Sequence, residues 1–300
     1  MPPDWINHLI TRLSLAILWL VHFLPRPIIS AIGVLLGILF YALSAERRRV
    51  VEKNLALCFK QKSTREQKRL SKRHFISLGR AITDSSIAWW GSEESIRKLA
   101  SVEGKEHLDR ALSVGPVIVL APHFVGVEIL GIRLSLEENA QSMYSQQKDP
   151  VLNQFLISKR SRFRDIRLFS RQEGIKNIVR SLKARLPLFF LPDMDFGPRD
   201  AVFVPFFGVP AATINAVPRL AMLTNARIVP VTIRQTGAKS PYQIQFFEAW
   251  DNYPTGDSAS DTRRMNAFIE DQVIQMPEQY YWVHKRFKTR PDGEPSLYDQ

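Results

Sequence analysis

The feature that most constrains the fold is a short apolar run, Val117-Ile-Val-Leu-Ala121, which ends at Pro122-His123. An apolar run of this length between chain breakers predicts a buried strand. Glu128 follows His123 by five positions and begins a predicted helix. We therefore expect His123 in the loop at the carboxyl end of a strand, the edge at which open α/β sheets bind ligands.

His123 and Glu128 form a candidate catalytic pair. The imidazole in the loop can fold back to a carboxylate in the first turns of the helix, which would orient the ring and stabilise its protonated form. This arrangement predicts a transferase or hydrolase that activates a hydroxyl. Taken alone, the spacing is also compatible with a histidine that is simply hydrogen-bonded in the core.

Strand and helix patterns alternate from residue 101 onwards, which predicts an α/β fold with a mixed, mostly parallel sheet flanked by helices. Residues 46 to 100 are predicted to be helical, and residues 276 to 300 form a polar, aromatic and basic tail. The predicted strands are Pro116–Ala121, Arg167–Phe169, Leu188–Leu191, Arg227–Ile233 and Tyr242–Glu248. The predicted helices between them are Glu128–Glu138, Pro150–Phe163, Gln172–Ala184, Ala216–Leu223 and Asp261–Gln275.

The charge of the chain restricts its partners. A net charge of +12 over 300 residues favours nucleic acid, anionic membrane surfaces or acidic proteins. Nucleic acid is not expected, because the sequence lacks an interleaved basic and aromatic motif of the RNA-binding type. The single Cys58 excludes an intrachain disulfide and offers no metal cluster.

The N-terminal segment predicts a membrane anchor over residues 1–45, followed by a catalytic domain over residues 46–300. Residues 9 to 43 are mostly apolar, and the 16 residues of Ile28–Leu43 carry no charge and span about 24 Å as a helix. A pair of buried core helices is the alternative. Residues 47–73, just after the anchor, carry an excess of Arg and Lys. Such an excess marks the cytoplasmic side of a membrane segment, although a solvated helix face has the same composition.

A second group of polar residues, Asp193, Asp195 and Arg199, follows the apolar run Pro187–Leu191 and is therefore expected at the same sheet edge. Three interpretations remain open. An Asp-x-Asp pair can bind Mg²⁺, the acids can anchor a turn through backbone hydrogen bonds, or they can orient basic residues that hold a substrate. The sequence provides few further acidic ligands nearby, so no metal is expected.

Two further motifs lie towards the C-terminus. The run Val202–Thr213 is apolar but rich in Pro and Gly, which suits the wall of a hydrophobic slot or part of the core. In the tail, the stretch Tyr280–Arg290 alternates aromatic with basic residues. The tail could contact phosphate or an acidic partner, or it could cap the fold.

Taken in order, these four stretches resemble the lipid A biosynthesis acyltransferases, within the wider glycerolipid acyltransferase superfamily. The matching motifs are Ala121-Pro-His-Phe124 with Glu128, Pro192–Arg199, Val202–Gly208 and Tyr281–Pro291. The resemblance implies an inner-membrane enzyme with its catalytic domain in the cytoplasm and with no cofactor. It also implies acyl transfer from an acyl carrier protein thioester to a hydroxyl of a lipid A precursor, with His123 and Glu128 as the catalytic dyad.

The resemblance also suggests which residues hold the anionic substrate. Arg160, Arg162 and Arg171 fall where the family binds it, and Asp193, Asp195 and Arg199 are expected to assist.

The sequence departs from the family pattern beside the expected site. Val125-Gly126-Val127 lacks the bulky aromatic residue that members tend to carry before the acid, and Ser145 follows Tyr144 where members tend to have Arg. These changes leave the acyl-chain length and the acceptor open. The alternatives are an acyltransferase for another lipid acceptor, such as a lysophospholipid, glycolipid or amino-acid lipid, and a non-catalytic membrane-bound scaffold on the same fold.

Overall fold

The computed structural model describes residues 4–237 and 240–299. The helices are α1 (Asp4–Val21), α2 (Arg26–Leu43), α3 (Ala45–Cys58), α4 (Thr64–Trp90), α5 (Glu93–Leu99), α6 (Lys105–Val114), α7 (Val127–Leu134), α8 (Pro150–Arg160), α9 (Lys176–Lys183), α10 (Ala216–Thr224) and α11 (Ser258–Gln275). The strands are β1 (Ala100–Glu103), β2 (Val117–Leu120), β3 (Ala140–Tyr144), β4 (Ile166–Ser170), β5 (Leu188–Phe190), β6 (Ala201–Phe206), β7 (Val209–Ile214), β8 (Arg227–Gln235) and β9 (Tyr242–Phe246).

Seven strands form one sheet in the order β1-β9-β8-β2-β5-β3-β4, and β6 and β7 form a separate antiparallel hairpin. Within the large sheet only β8 and β9 pair antiparallel. β2 lies between β8 and β5, and all four of its residues are buried, which explains its uninterrupted apolar composition. The predicted fold class, a mixed, mostly parallel sheet flanked by helices, is therefore confirmed.

The structure contains strands that the sequence pattern did not predict. β1 and β3 were not predicted, and the Pro- and Gly-rich run Val202–Thr213 forms most of the hairpin β6–β7. β3 reads Ala-Gln-Ser-Met-Tyr and lacks the β-branched residues typical of strands. It lies inside the sheet because it pairs with both β4 and β5. The amide of the buried Gln141 donates to the backbone oxygens of Ile178 and Leu186, which satisfies this polar group in the interior.

Three glycines allow α2 to pack closely against α4. Gly33 and Gly37 lie one turn apart on α2 and face Gly79 of α4, and a Cβ atom at Gly37 would collide with the backbone of Phe75. Gly33 faces Thr83 and Arg80, whereas Gly37 faces Phe75 and Ile76, so the two helices are antiparallel. Small residues four positions apart permit such close helix contact.

The opposite faces of α1 and α2 are exposed and apolar. The exposed side chains of α1 and α2 include Leu9, Leu13, Leu20, Leu35 and Leu39. Among the described residues, α2 is the one helix that is long and apolar enough to cross a membrane, and α1 contains a shorter apolar segment.

Candidate active site

The carboxyl ends of β2 and β5 bring two loops together. The two strands are parallel neighbours, with Leu120 in register with Phe190. His123 and Asp193 each lie three positions beyond these paired residues, so the register places them side by side. The helix that follows β2 begins at Val127, which confirms the predicted position of His123 in a strand-to-helix loop.

Asp193 binds His123 through both carboxylate oxygens. Its Oδ1 lies 2.7 Å from the imidazole Nδ1, and its Oδ2 accepts from the backbone N–H of His123 at 3.0 Å. Asp193 is only 1% exposed. Burial alone would raise the pKa of this carboxyl, but the charge of His123 and its hydrogen bonds outweigh burial and lower the pKa below its usual range. The ionised carboxylate accepts hydrogen bonds only, so Nδ1 carries the proton and Nε2 is left as the basic atom.

Glu128 contacts a different group. We expected the imidazole of His123 to fold back onto Glu128, and this predicted contact is wrong. The carboxylate of Glu128 instead accepts from Arg160, with Nη2 at 2.6 Å and Nε at 3.0 Å from Oε2, and from the indole N–H of Trp89 at 3.1 Å. Nε also donates to Oε1 at 3.2 Å, so two N–H groups of Arg160 together reach both oxygens of the carboxylate and fix the guanidinium plane.

The turn after Asp193 is fixed to the C-terminal tail. The backbone N–H of Asp195 donates to Nε2 of His284 at 2.9 Å, and the Asp195 carboxylate accepts from the backbone N–H and hydroxyl of Thr289. Burial and the neighbouring charges of Arg286 and His123 lower the pKa of His284 to about 4, so the ring is neutral and can accept. Asp195 therefore anchors a turn, which is one of the three interpretations that the sequence left open.

A cavity of about 930 Å³ lies beside His123. This volume falls within the usual range for small-molecule sites. Its walls combine α4, α7, β3, β4 and β5 and are mainly apolar, including Leu78, Ile82, Trp89, Leu130, Leu134, Met143, Leu168 and Phe189. Its polar lining includes His123, Glu128, Arg160 and Arg171. A cavity of this composition suits a long apolar chain whose reacting end lies next to the imidazole.

The remaining predicted substrate-binding residues are spread over different places. Arg171 is exposed at the edge of the cavity, with its guanidinium 3.8 Å above the ring of Phe196. Arg162 does not line the cavity and donates to the backbone oxygens of Trp89 and Ala88 at the end of α4. Arg199 has a 96% exposed side chain outside the cavity. Over residues 4–237 and 240–299, no group of three or more His, Cys, Asp or Glu side chains could hold a metal ion.

Three contacts of the site were not predicted from the sequence. Asp193 was assigned to the substrate and not to the imidazole, and neither the contact of Trp89 with Glu128 nor that of His284 with the turn after Asp193 was expected. A signal for Asp193 was present, because both His123 and Asp193 directly follow an apolar run and a proline. Trp89 closes the predicted helical region and His284 lies in the aromatic and basic tail, but neither pattern indicates which side chain or backbone group each contacts.

Comparisons with known proteins identify the family of the chain. The family model described as "Bacterial lipid A biosynthesis acyltransferase" matches residues 4–289. The lipid A biosynthesis palmitoleoyltransferase of Escherichia coli K12 is 32% identical over 99% of this chain and 95% of its own length. The lipid A biosynthesis lauroyltransferase of the same organism is 31% identical over 99% of this chain and 96% of its own length. The chain belongs to the bacterial lipid A biosynthesis acyltransferase family, which confirms the resemblance stated above.

Among solved structures, the 1-acyl-sn-glycerophosphate acyltransferase of Thermotoga maritima matches 81% of this chain and 96% of its own. The sequence identity is 14% and the TM-score is 0.39.

Proposed function

We propose that this protein transfers a fatty acyl chain from an acyl carrier protein thioester to a hydroxyl group of a lipid A precursor. The observation that carries this proposal is the hydrogen bond between Nδ1 of His123 and the buried Asp193 at the edge of a large apolar cavity. Family membership supports the acyl-transfer chemistry and the acceptor class.

His123 is the general base in this mechanism. Among the described residues its Nε2 has no hydrogen-bond partner, so it is free to take the proton of the acceptor hydroxyl. The hydroxyl oxygen attacks the thioester carbonyl carbon, the C–S bond breaks, and the imidazolium returns the proton to the departing thiolate. Asp193 stabilises the imidazolium that forms in between. General base catalysis of this kind contributes about 10²- to 10⁴-fold.

Arg160 and Arg171 are the groups that bind the anionic parts of the substrates. Both line the cavity, whereas Arg162 and Arg199 do not. The contacts of Glu128 suggest that it acts by holding the guanidinium of Arg160 in place. Glu128 therefore remains part of the proposed machinery, but as a positioning residue and not as the partner of His123.

The apolar walls of the cavity receive the acyl chain. Val127, Leu130, Gly131 and Leu134 lie on one face of α7 and all line the cavity. The small Val127, which stands where family members tend to have a bulky aromatic residue, leaves this part of the cavity open.

Residues 1–45 form the membrane anchor, and residues 46–300 form the catalytic domain on the cytoplasmic side of the inner membrane. The exposed apolar faces of α1 and α2 support this assignment. Residues 1–45 fused to a soluble fluorescent protein should carry it into the membrane pellet, and the fusion should remain there after a high-salt wash. A fusion that stays in the soluble fraction would show that the anchor assignment is wrong.

The proposed function is tested by mass spectrometry of lipid A from cells with and without the gene. Loss of the gene should remove one acyl chain from lipid A, and the wild-type gene should restore it. Unchanged lipid A together with changed phospholipids or glycolipids would assign the enzyme to another acceptor.

A further inference from the structure

The exposed surface of α3, of the loop that follows it and of the first half of α4 is strongly basic. We call it the α3–α4 basic surface. Its members are exposed and take part in no ion pair within the described part of the chain: Arg47, Arg49, Lys60, Arg65, Lys68, Arg69 and Lys72. Its acids are few, and Glu66 is already used as the capping residue that bonds Ser63. Among the described residues, no acidic side chain is therefore paired with these cations.

The α3–α4 basic surface reaches the reaction cavity at Arg47. Arg47 and Ser44 line the cavity together with Val283 and His284. The guanidinium of Arg47 lies 3.5 Å from the backbone oxygen of Val283. Two residues earlier in the tail, the backbone N–H of Tyr281 donates to the backbone oxygen of His123. A partner bound over Arg47 would therefore deliver a thioester close to the basic imidazole.

The position at which α2 ends separates the α3–α4 basic surface from the exposed apolar faces of α1 and α2. Gly37 of α2 packs opposite Phe75 of the antiparallel α4, and α2 ends six residues later, at Leu43, about 9 Å along the axis. From Phe75 towards its N-terminus, α4 extends about 15 Å to Arg65. The first turns of α4 thus extend about 6 Å past the end of the apolar helix.

The side chains in this region also disfavour insertion into lipid. No large apolar side chain is exposed between residues 44 and 113, although many are exposed on α1 and α2. A soluble partner of opposite charge fits this surface better than the interior of a bilayer does.

We infer that the α3–α4 basic surface docks the acidic acyl carrier protein that supplies the thioester. This inference rests on the proposed function and adds the place at which the donor binds. The acceptor and the donor then use different cations, Arg160 and Arg171 for the acceptor and the α3–α4 basic surface for the carrier. Complementary charge of this kind acts mainly on the rate of association and depends on salt.

The test uses the full-length enzyme with the triple substitution Arg65→Glu, Lys68→Glu and Lys72→Glu. The matched control is Lys176→Glu, Arg180→Glu and Lys183→Glu on α9, where the three side chains are also exposed and without ion pairs among the described residues. Initial rates are measured with the same acyl chain on acyl carrier protein and on pantetheine, a small uncharged donor. Binding to phosphatidylglycerol vesicles is measured by sedimentation.

The α4 variant should raise the KM for the carrier thioester at least about tenfold at low salt, since charge steering changes association rates by 10- to 10³-fold. Its rate with acyl pantetheine should stay at the wild-type value, which also verifies that it is folded. At high salt the KM of the wild-type enzyme for the carrier thioester should rise towards that of the α4 variant. The α9 control should behave as the wild type does.

Three results would overturn the inference. Equal KM values for the α4 and α9 variants would mean that the carrier docks elsewhere. Loss of vesicle binding by the α4 variant with an unchanged KM for the carrier thioester would assign the surface to lipid headgroups. A wild-type enzyme that uses acyl pantetheine but rejects the carrier thioester would overturn the proposed donor together with its docking surface, whereas the first two results leave the proposed function intact.

Discussion

Replacing Asp193 by asparagine should greatly reduce catalysis while the protein stays folded. The two oxygens of Asp193 each accept one hydrogen bond from His123, at 2.7 Å from Nδ1 and 3.0 Å from the backbone N–H. Asparagine has one oxygen and one NH₂ group in the same shape. One of the two hydrogen bonds must therefore be lost in Asp193→Asn, or the imidazole must change its tautomer.

The size of the effect follows from these two possibilities. If the amide oxygen keeps Nδ1–H, the NH₂ group faces the backbone N–H of His123, and an unsatisfied buried donor costs about 1–3 kcal/mol. If the NH₂ group faces Nδ1, the proton moves to Nε2 and the base is lost. The corresponding substitution in the serine protease triad lowers kcat by about 10⁴. We therefore predict that kcat falls by about 10²- to 10⁴-fold. The KM should change little, because Asp193 does not line the large cavity.

The assay compares initial rates of Asp193→Asn and wild-type enzyme with acyl carrier protein thioester and a lipid A precursor. Asp271→Asn is the matched control, because Asp271 is an exposed aspartate on α11. The thermal midpoint of each variant shows whether it is folded. A folded Asp193→Asn enzyme with a kcat within threefold of wild type would refute the role assigned to Asp193.

Three further predictions concern the cavity and the buried His74. Glu128→Gln removes the charge that holds its arginine partner, and initial rates should show a loss of about 10- to 100-fold in kcat/KM, as expected for a charge-assisted contact; a loss below threefold contradicts the positioning role. At Gly131 an added Cβ atom has no neighbour within 4 Å, so Gly131→Leu should keep or raise the thermal midpoint. The larger side chain should shift the preference of the enzyme to donors with shorter acyl chains. An unchanged preference would mean that the acyl chain lies elsewhere. Burial lowers the pKa of His74 from 6.5 to about 4, so the unfolded chain binds the proton more readily between these pH values and stability should fall as the pH drops from 6.5 to 4. Thermal midpoints measured across this range should depend less on pH in His74→Gln, and an identical pH dependence would contradict this account.

The sequence was sufficient for the parts of the fold that depend on local pattern. The apolar run of β2 and its terminal proline predicted the strand, the loop and the position of His123 in it. β3 could not be found in this way, because its place in the sheet depends on backbone pairing with β4 and β5, which are distant in sequence, and its buried Gln141 carries no strand signal.

Which side chains pair within the site depends on the strand register and on the packing of the helices. A single sequence specifies neither. His123 meets Asp193 because Leu120 and Phe190 are paired across β2 and β5. Glu128 contacts Arg160 because α8 packs against α7. The spacing of His123 and Glu128 in the sequence does not decide whether this carboxylate turns towards His123 or towards Arg160. The residue types of the site were therefore predictable, but the pairing of acids with bases was not.

Our main proposal is that His123 drives acyl transfer to a hydroxyl of a lipid A precursor. Its most direct test is the initial rate of this transfer from acyl carrier protein thioester by purified wild-type and His123→Ala enzymes with equal thermal midpoints. We predict that the wild-type enzyme acylates the precursor and that His123→Ala is slower by about 10²-fold or more. A folded His123→Ala enzyme that transfers the acyl chain at nearly the wild-type rate would contradict the account.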